Sequence, residues 1–144
     1  MYKKLLMPTD GSECSFSAIK EGLEVAKALG AEVNFLYVVE NPSSYIWMSP
    51  ESIPYGMDLL ADLQKAGKEA LDRASKMAAE AGVKANTLLK EGQPIPAILE
   101  EAKNHDALVM GTHGRAGLDK LLLGSVTEGV LHRTNKPVLV VRSK

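Results

Sequence analysis

Strand and helix signals alternate along the whole of this 144-residue chain, and that alternation predicts an α/β fold. The expected form is a doubly wound parallel sheet of five strands with helices on both faces. Two further observations set the strand order. The first, fourth and fifth strand segments are near-continuous apolar runs, as buried parallel strands are, whereas the third alternates and belongs near an edge. Right-handed crossovers then give the order 3-2-1-4-5, with a switch point between strands one and four. Ligands of such sheets bind beyond the carboxyl ends of the strands at that crevice. At this length one domain, 1–144, is expected.

Each element has its own signal. Leu5-Leu6-Met7 is the first strand, ended by the turn cluster Pro8-Thr9-Asp10-Gly11-Ser12. From Glu13 to Leu29, apolar residues at spacings of three and four make a helix, with Gly30 as its stop. Val33 to Val39, β-branched and aromatic, is the second strand. Residues 41–56 hold three prolines with Tyr45, Trp47 and Tyr55. They read as a long irregular connection, either a ligand lid or a loop covering the helix below. Leu60 to Ala81 marks a helix of about six turns, stopped by Gly82. Val83, Ala85, Thr87 and Leu89 alternate as a half-exposed third strand. Pro94 or Pro96 opens the next helix, with Ile98, Leu99 and Ala102 facing inward. Ala107 to Met110 is the fourth strand, Ser125 to Thr134 the fourth helix, and Val138 to Val141 the fifth strand.

Composition excludes several classes of function. Lys and Arg number 17 against 18 Asp and Glu, a net charge of −1, without the excess of cations that non-specific nucleic-acid binding needs. No stretch approaches a membrane span, and Leu5-Leu6-Met7 is too short for the apolar region of a signal peptide. The single cysteine, Cys14, has no disulfide partner, which favours a reducing, cytoplasmic setting. It reads as a small buried apolar residue rather than a reactive thiol.

The most informative stretch is Gly111-Thr112-His113-Gly114, then nine residues, then Gly124-Ser125. After the strand, Gly111 and Gly114 can take backbone angles closed to other residues and let a ligand approach the main chain. Ser125 then starts a helix whose first N–H groups lack intrahelical partners and carry the positive end of the dipole, a seat for an anion. The pattern predicts a cradle for nucleotide phosphates. Asp10-Gly11-Ser12-Glu13 has capping-box spacing, so Asp10 caps the first helix, accepts from a ribose hydroxyl or base amino group, or does both. Ser125-Val126-Thr127-Glu128 has the same spacing, its hydroxyl accepting from the backbone and donating to a phosphate. Arg115 and Lys120 either neutralise a polyphosphate or are solvated loop charges. His113 is a general base, a metal ligand, or neither, and His105 and His132 form no metal pattern with it. The P-loop motif is absent. Gly111, Gly114 and Gly117 have the wrong spacing, after the wrong strand, for a dinucleotide fingerprint. The third strand ends in Lys90-Glu91-Gly92 and lacks the acceptor Asp of a response regulator.

The segments PTDGSECSFSAI, FLYVVE, EGQPIPAILEEA and GTHGRAGLDKLLLGSVTEGVLHRTNKPVLVV follow one another in this order. Over essentially the whole chain they resemble the universal stress protein family, in its ATP-binding subgroup. The resemblance implies an adenine nucleotide alpha-hydrolase-like fold. It places Asp10 at the adenosine moiety, with Pro8 and Thr9 shaping the floor, the backbone of Val38 at the adenine edge, and Gly111 near the ribose. Gly114, Gly124, Ser125 and Val126 would present N–H groups and a hydroxyl to the phosphates, with Thr127 a further donor. A divalent cation, Mg²⁺ or Mn²⁺, would accompany the triphosphate. Residues 41–56 are the family's variable region and inherit no role.

The expected function is an ATP-binding regulatory module of the stress response, the resident nucleotide being ATP, ADP or AMP. The alternative is a slow ATPase or nucleotide-transferring enzyme using His113 or Asp10. A third reading is an interaction module in which nucleotide is a structural filler. Val138-Leu139-Val140-Val141 lies at a sheet edge yet carries no charge. A homodimer through residues 137–142 is therefore expected, unless Arg142-Ser143-Lys144 or a helix covers the strand.

Overall fold

The computed structural model describes residues 2–41, 53–112 and 124–142, with residues 53–57 described by their backbone alone. Five strands, β1 (Lys4–Pro8), β2 (Glu32–Val39), β3 (Ala85–Glu91), β4 (Ala107–Gly111) and β5 (Val138–Val141), alternate with helices. The helices are α1 (Glu13–Leu29), α2 (Ile53–Ala81), α3 (Pro94–Ala102) and α4 (Ser125–Arg133). All strand pairs are parallel, in the expected order β3-β2-β1-β4-β5.

The two-residue period of the strands divides the core between the two faces. Leu5 and Met7 of β1, Val33, Phe35 and Tyr37 of β2, and Val109 of β4 pack with α1 and α2. Leu6, Leu36, Leu108 and Met110 pack on the opposite face with Ile98 of α3 and Val130 of α4. Residues of both sets are nearly fully buried, which explains the unbroken apolar runs of β1 and β4. At the β3 edge the exposed positions are largely polar, among them Asn86, Thr87 and Glu91.

Helix ends follow local chemistry. Gly30 takes φ 66° and its N–H reaches the Ala26 and Lys27 carbonyls, a left-handed stop that a side chain disfavours. Gly82 closes α2 in the same way. The sequence expectation of an irregular connection to residue 56 requires correction, because α2 already begins at Ile53. Pro54 sits in the first turn, where its missing N–H has no intrahelical acceptor to lose. The helix is therefore 29 residues long, about eight turns rather than six.

One ion pair ties α3 to β3. Lys90 of β3 donates to the Glu101 carboxylate, whose side chain is only 12% exposed. Burial alone would raise the Glu101 carboxyl, but the hydrogen bond and charge of Lys90, aided by Asn104 and His105, hold it below its usual 4.5. A depressed folded-state value stabilises the native state above the unfolded pKa and is lost as the pH falls through the folded one. Lys90→Met is therefore expected to cost about 1–2 kcal/mol at neutral pH, between the values for exposed and buried pairs. The gap between variant and wild type should close as the pH drops below 4.5. Urea titrations at pH 7 and pH 3.5 check this, and a gap independent of pH would remove the pair as its cause.

Candidate functional site

The sheet opens at its switch point for reasons visible in the main chain. Alternate residues of a parallel strand direct their N–H and C=O to the same neighbour. The Lys3 carbonyl accepts from Glu32 N–H on the β2 side, and the Lys4 carbonyl from Asp106 N–H on the β4 side. Lys4, Leu6 and Pro8 therefore face β4. Leu6↔Leu108 is the last β1–β4 pair, and the next β4-facing residue is Pro8, which has no N–H to continue the ladder. The two strands part there.

The same reasoning orients Val38. The Leu36 carbonyl accepts from Thr9 N–H at 2.8 Å, while the Val39 carbonyl accepts from Gly92 N–H on the β3 side. Leu36 and Val38 thus face β1, whose pairing with β2 ends at Pro8↔Leu36. The N–H and C=O of Val38 point past the end of β1 into the opening.

A cavity of about 440 Å³ occupies this opening. It is lined by Pro8, Thr9, Asp10, Val38, Gly111, Gly124, Ser125, Val126 and Thr127, so nine of the residues predicted for the site meet around one space. Gly114 and Arg115 complete the predicted set. They lie outside the described residues, as do His113, Lys120, Tyr45, Trp47 and the side chain of Tyr55. The cavity wall also includes residues that sequence reasoning did not place there: Ser15 of α1, Glu40 after β2, Leu63 of α2, Pro94 and Ile98 of α3, and Met110 of β4. In the sequence, Pro94 signals only a helix opening and Ile98 only a core position. Nothing in a helical periodicity marks which apolar residues stop short of the sheet and leave a space.

The turn after β1 is a closed hydrogen-bond knot. Ser12, not Asp10, is the N-cap of α1, and its hydroxyl accepts from Ser15 N–H at 3.1 Å. Asp10 Oδ1 instead accepts from Ser12 N–H at 2.9 Å, an Asx turn. This corrects the capping-box reading of Asp10. Gly11, at φ 81°, supplies the left-handed residue between them. The Ser15 hydroxyl donates to the Ser12 carbonyl at 2.8 Å, so its single proton is spent there. Thr9 Oγ1, 2.7 Å from Ser15 Oγ, must then donate to it, and itself accepts from Gly11 N–H. Within the knot, the bond from Ser12 N–H holds one oxygen of the Asp10 carboxylate. From outside, Arg73 of α2 grips the Glu13 carboxylate with both terminal nitrogens and stacks on the Phe16 ring, 3.9 Å from its centre. The Arg73 hydrogen bond and charge hold the Glu13 carboxyl below its usual range.

The second wall is the end of β4 against the start of α4. Gly124 is the N-cap of α4, with φ −64° and ψ 155°, and Ser125 is already the first helical residue. The capping-box reading of Ser125 is therefore corrected by one position, and its hydroxyl makes no cap bond. The Gly124 N–H donates to the Thr112 carbonyl, and the first intrahelical bond runs from Glu128 N–H to the Gly124 carbonyl. The N–H groups of Ser125, Val126 and Thr127 precede that bond and point out of the helix end. Thr127 Oγ1 donates to the Gly111 carbonyl at 2.7 Å. Gly111 does not take a positive φ, contrary to the expected backbone freedom. A Cβ there would lie 3.2 Å from both the carbonyl oxygen and Sγ of Cys14, so glycine at 111 lets α1 lie close on β4.

Charge is distributed unevenly around the cavity. Among the described residues, its charged members are the carboxylates Asp10 and Glu40. Also among the described residues, no three His, Cys, Asp or Glu side chains gather into a metal-binding group, and no helix is long and apolar enough to cross a membrane.

The chain matches the model of the universal stress protein family over residues 1–142. It is 43% identical over 145 residues to universal stress protein MJ0531 of Methanocaldococcus jannaschii, covering 99% of this chain and 83% of that one. The solved structure of MJ0577, from the same organism, superposes with a TM-score of 0.84 at 33% identity, covering 100% of this chain and 98% of the other. A universal stress protein in complex with cAMP superposes at 0.70 with 25% identity, covering 99% and 98%. Likeness along the full length, in sequence and in fold, makes this chain a member of the universal stress protein family.

Proposed function

We propose that this chain is a single-domain, ATP-binding regulatory module of the stress response, acting as a cytoplasmic homodimer. The observation that carries the nucleotide reading is the polarity of the cavity. Three helices start around it, and they differ in what their first turns offer. Ser12 caps α1 with its own side chain. In α3, Pro94 and Pro96 have no N–H, and the first intrahelical bond comes from Ala97, which leaves Ile95 as the one early donor of that turn. In α4, three consecutive N–H groups precede the first bond. An anion therefore belongs at α4 and an apolar ring beside Pro94 and Ile98.

A nucleotide laid along that gradient meets complementary groups. The Val38 N–H and C=O offer one donor and one acceptor to the adenine edge. Asp10, held by its turn, accepts from a ribose hydroxyl over the floor made by Pro8 and Thr9, with Gly111 where the ribose gives way to the phosphates. The N–H groups of Ser125 and Val126 and the Ser125 hydroxyl meet the phosphates, joined by Gly114, as the family pattern implies, and by the loop cation Arg115. With two carboxylates in the wall, a triphosphate needs its own counter-cation, and Mg²⁺ or Mn²⁺ would be held by the phosphates themselves. A cavity of about 440 Å³ falls within the usual range for small-molecule sites. The cAMP complex of a relative supports an adenine nucleotide here.

Thermal-shift screening tests the assignment. A ligand at 100 times its dissociation constant stabilises by about 2.7 kcal/mol, and ATP with Mg²⁺, AMP and cAMP are expected to shift the melting temperature upward. A larger shift with NAD or FMN than with any adenine mononucleotide would reverse the assignment.

A further inference from the structure

We propose that Thr127 is a positioning residue of the nucleotide site: by donating to the Gly111 carbonyl, it pins the first turn of α4 to β4 and masks an acceptor that would otherwise face the phosphates. This inference rests on the adenine-nucleotide reading and gives Thr127 a different part from direct phosphate donation.

The need for a latch follows from the ladder. Thr112 N–H donates to the Val141 carbonyl, so Thr112 faces β5 and Gly111 faces the side of β1. The β1–β4 pairing has already ended at Leu6↔Leu108, and β1 offers the Gly111 carbonyl no partner. A main-chain acceptor in that position needs one from elsewhere. Thr127, 5% exposed, supplies its hydroxyl proton at 2.7 Å. That proton is the only one the hydroxyl has, so none is left for a phosphate oxygen.

The consequence reaches the phosphate site through geometry. The Thr112 carbonyl, on the other side of β4, accepts from Gly124 N–H. Two successive carbonyls at the end of β4 thus grip two residues of the α4 start, one through its backbone and one through its side chain. Between these ties lie Ser125 and Val126, whose N–H groups aim at the anion. Without the Thr127 bond, one tie is lost and the Gly111 oxygen presents a bare lone pair to a phosphate. The nucleoside end of the cavity, at Val38 and Asp10, is held by β2 and by the turn after β1, which Thr127 does not touch.

Calorimetry with ATP plus Mg²⁺ and with adenosine, on wild type, Thr127→Val and Thr127→Ser, tests the proposal. Thr127→Val is expected to weaken ATP by about tenfold and leave adenosine within about twofold, because one oriented hydrogen bond is removed at the phosphate end only. Thr127→Ser, which keeps the hydroxyl, is expected to restore ATP affinity to within about threefold. Thr127→Ala, measured beside them, removes the hydroxyl without adding a methyl and should show the same split. Equal losses for ATP and adenosine, or no loss of ATP, would overturn the latch while leaving the nucleotide reading intact. Wild type that binds neither ligand would overturn both. If neither hydroxyl-free variant folds while Thr127→Ser does, the hydroxyl serves the whole fold and the specific role is lost.

Discussion

A Gly124→Val protein is expected to keep its fold and to lose ATP affinity by at least about a hundredfold, the effect of filling the approach to an anion seat. Gly124 adopts φ −64° and ψ 155°, angles open to any L residue, so the substitution carries no backbone strain. Its N–H still reaches the Thr112 carbonyl, and no side-chain cap is forfeited, because glycine supplies none. Valine is a poorer N-cap than glycine, and a stability loss on the order of 1 kcal/mol is expected from that alone. What changes at the site is space. Gly124 lies in the cavity wall directly ahead of Ser125 and Val126, and a β-branched side chain there competes with the phosphates for the approach to those N–H groups. Adenosine, which carries no phosphate, should still bind. Circular dichroism establishes the fold and calorimetry the affinity. A folded variant with undiminished ATP affinity would move the phosphates away from α4.

The elements and strand order of this chain were legible because their signals are periodic and redundant. Val33, Phe35 and Tyr37 alternate with Asn34, Leu36 and Val38, and the two sets lie on opposite faces of the sheet. Gly30 and Gly82 mark helix ends that only a left-handed residue closes easily. The caps were misread for the opposite reason. A capping box is a spacing of short polar residues, and two such residues within one turn compete for a single position. Asp10 has that spacing to Glu13, but the Gly11 turn folds the Asp10 carboxylate onto Ser12 N–H, which leaves Ser12 nearest the helix to cap it. At α4 the N-cap is Gly124, which no side-chain rule favours over Ser125.

The site itself was legible in part. Glycines, an acidic turn and a helix start at the carboxyl ends of β1 and β4 point to Asp10, Gly111, Gly124 and Ser125, while Pro8, Thr9 and Val38 come only with the family resemblance. The contribution of Pro8 to opening the sheet was not visible. It depends on which neighbour the residue faces, and that is settled only by the register of two strands distant in sequence. The part of Thr127 was hidden likewise, since its partner is a main-chain carbonyl sixteen positions away.

The fifth strand gives the other large expected effect. Among the described residues β5 pairs only with β4. The Pro137 and Val141 carbonyls accept from Leu108 and Thr112 N–H, so residues 137, 139 and 141 face β4 and the main-chain groups of Val138 and Val140 face outward. The edge carries no charge, and Leu139 is 42% exposed. An edge of this kind is a template for another strand unless something blunts it. A second copy, related by a two-fold axis, satisfies the outward N–H and C=O groups and covers Leu139 in one step. Val140→Pro is the sharpest test. Its N–H faces away from β4, so proline removes no bond of the sheet and is tolerated at such an edge position, yet it deletes a donor in the middle of the proposed seam. The variant is expected to be a folded monomer by light scattering at concentrations where wild type is expected to pair. Leu139→Lys should act in the same direction, by setting like charges close across the axis. The nucleotide cavity opens beyond the carboxyl ends of β1 and β4 and no residue of β5 lines it, so a monomeric Val140→Pro protein should bind ATP as wild type does. Wild type that stays monomeric at high micromolar concentration would show that the edge is covered within one chain.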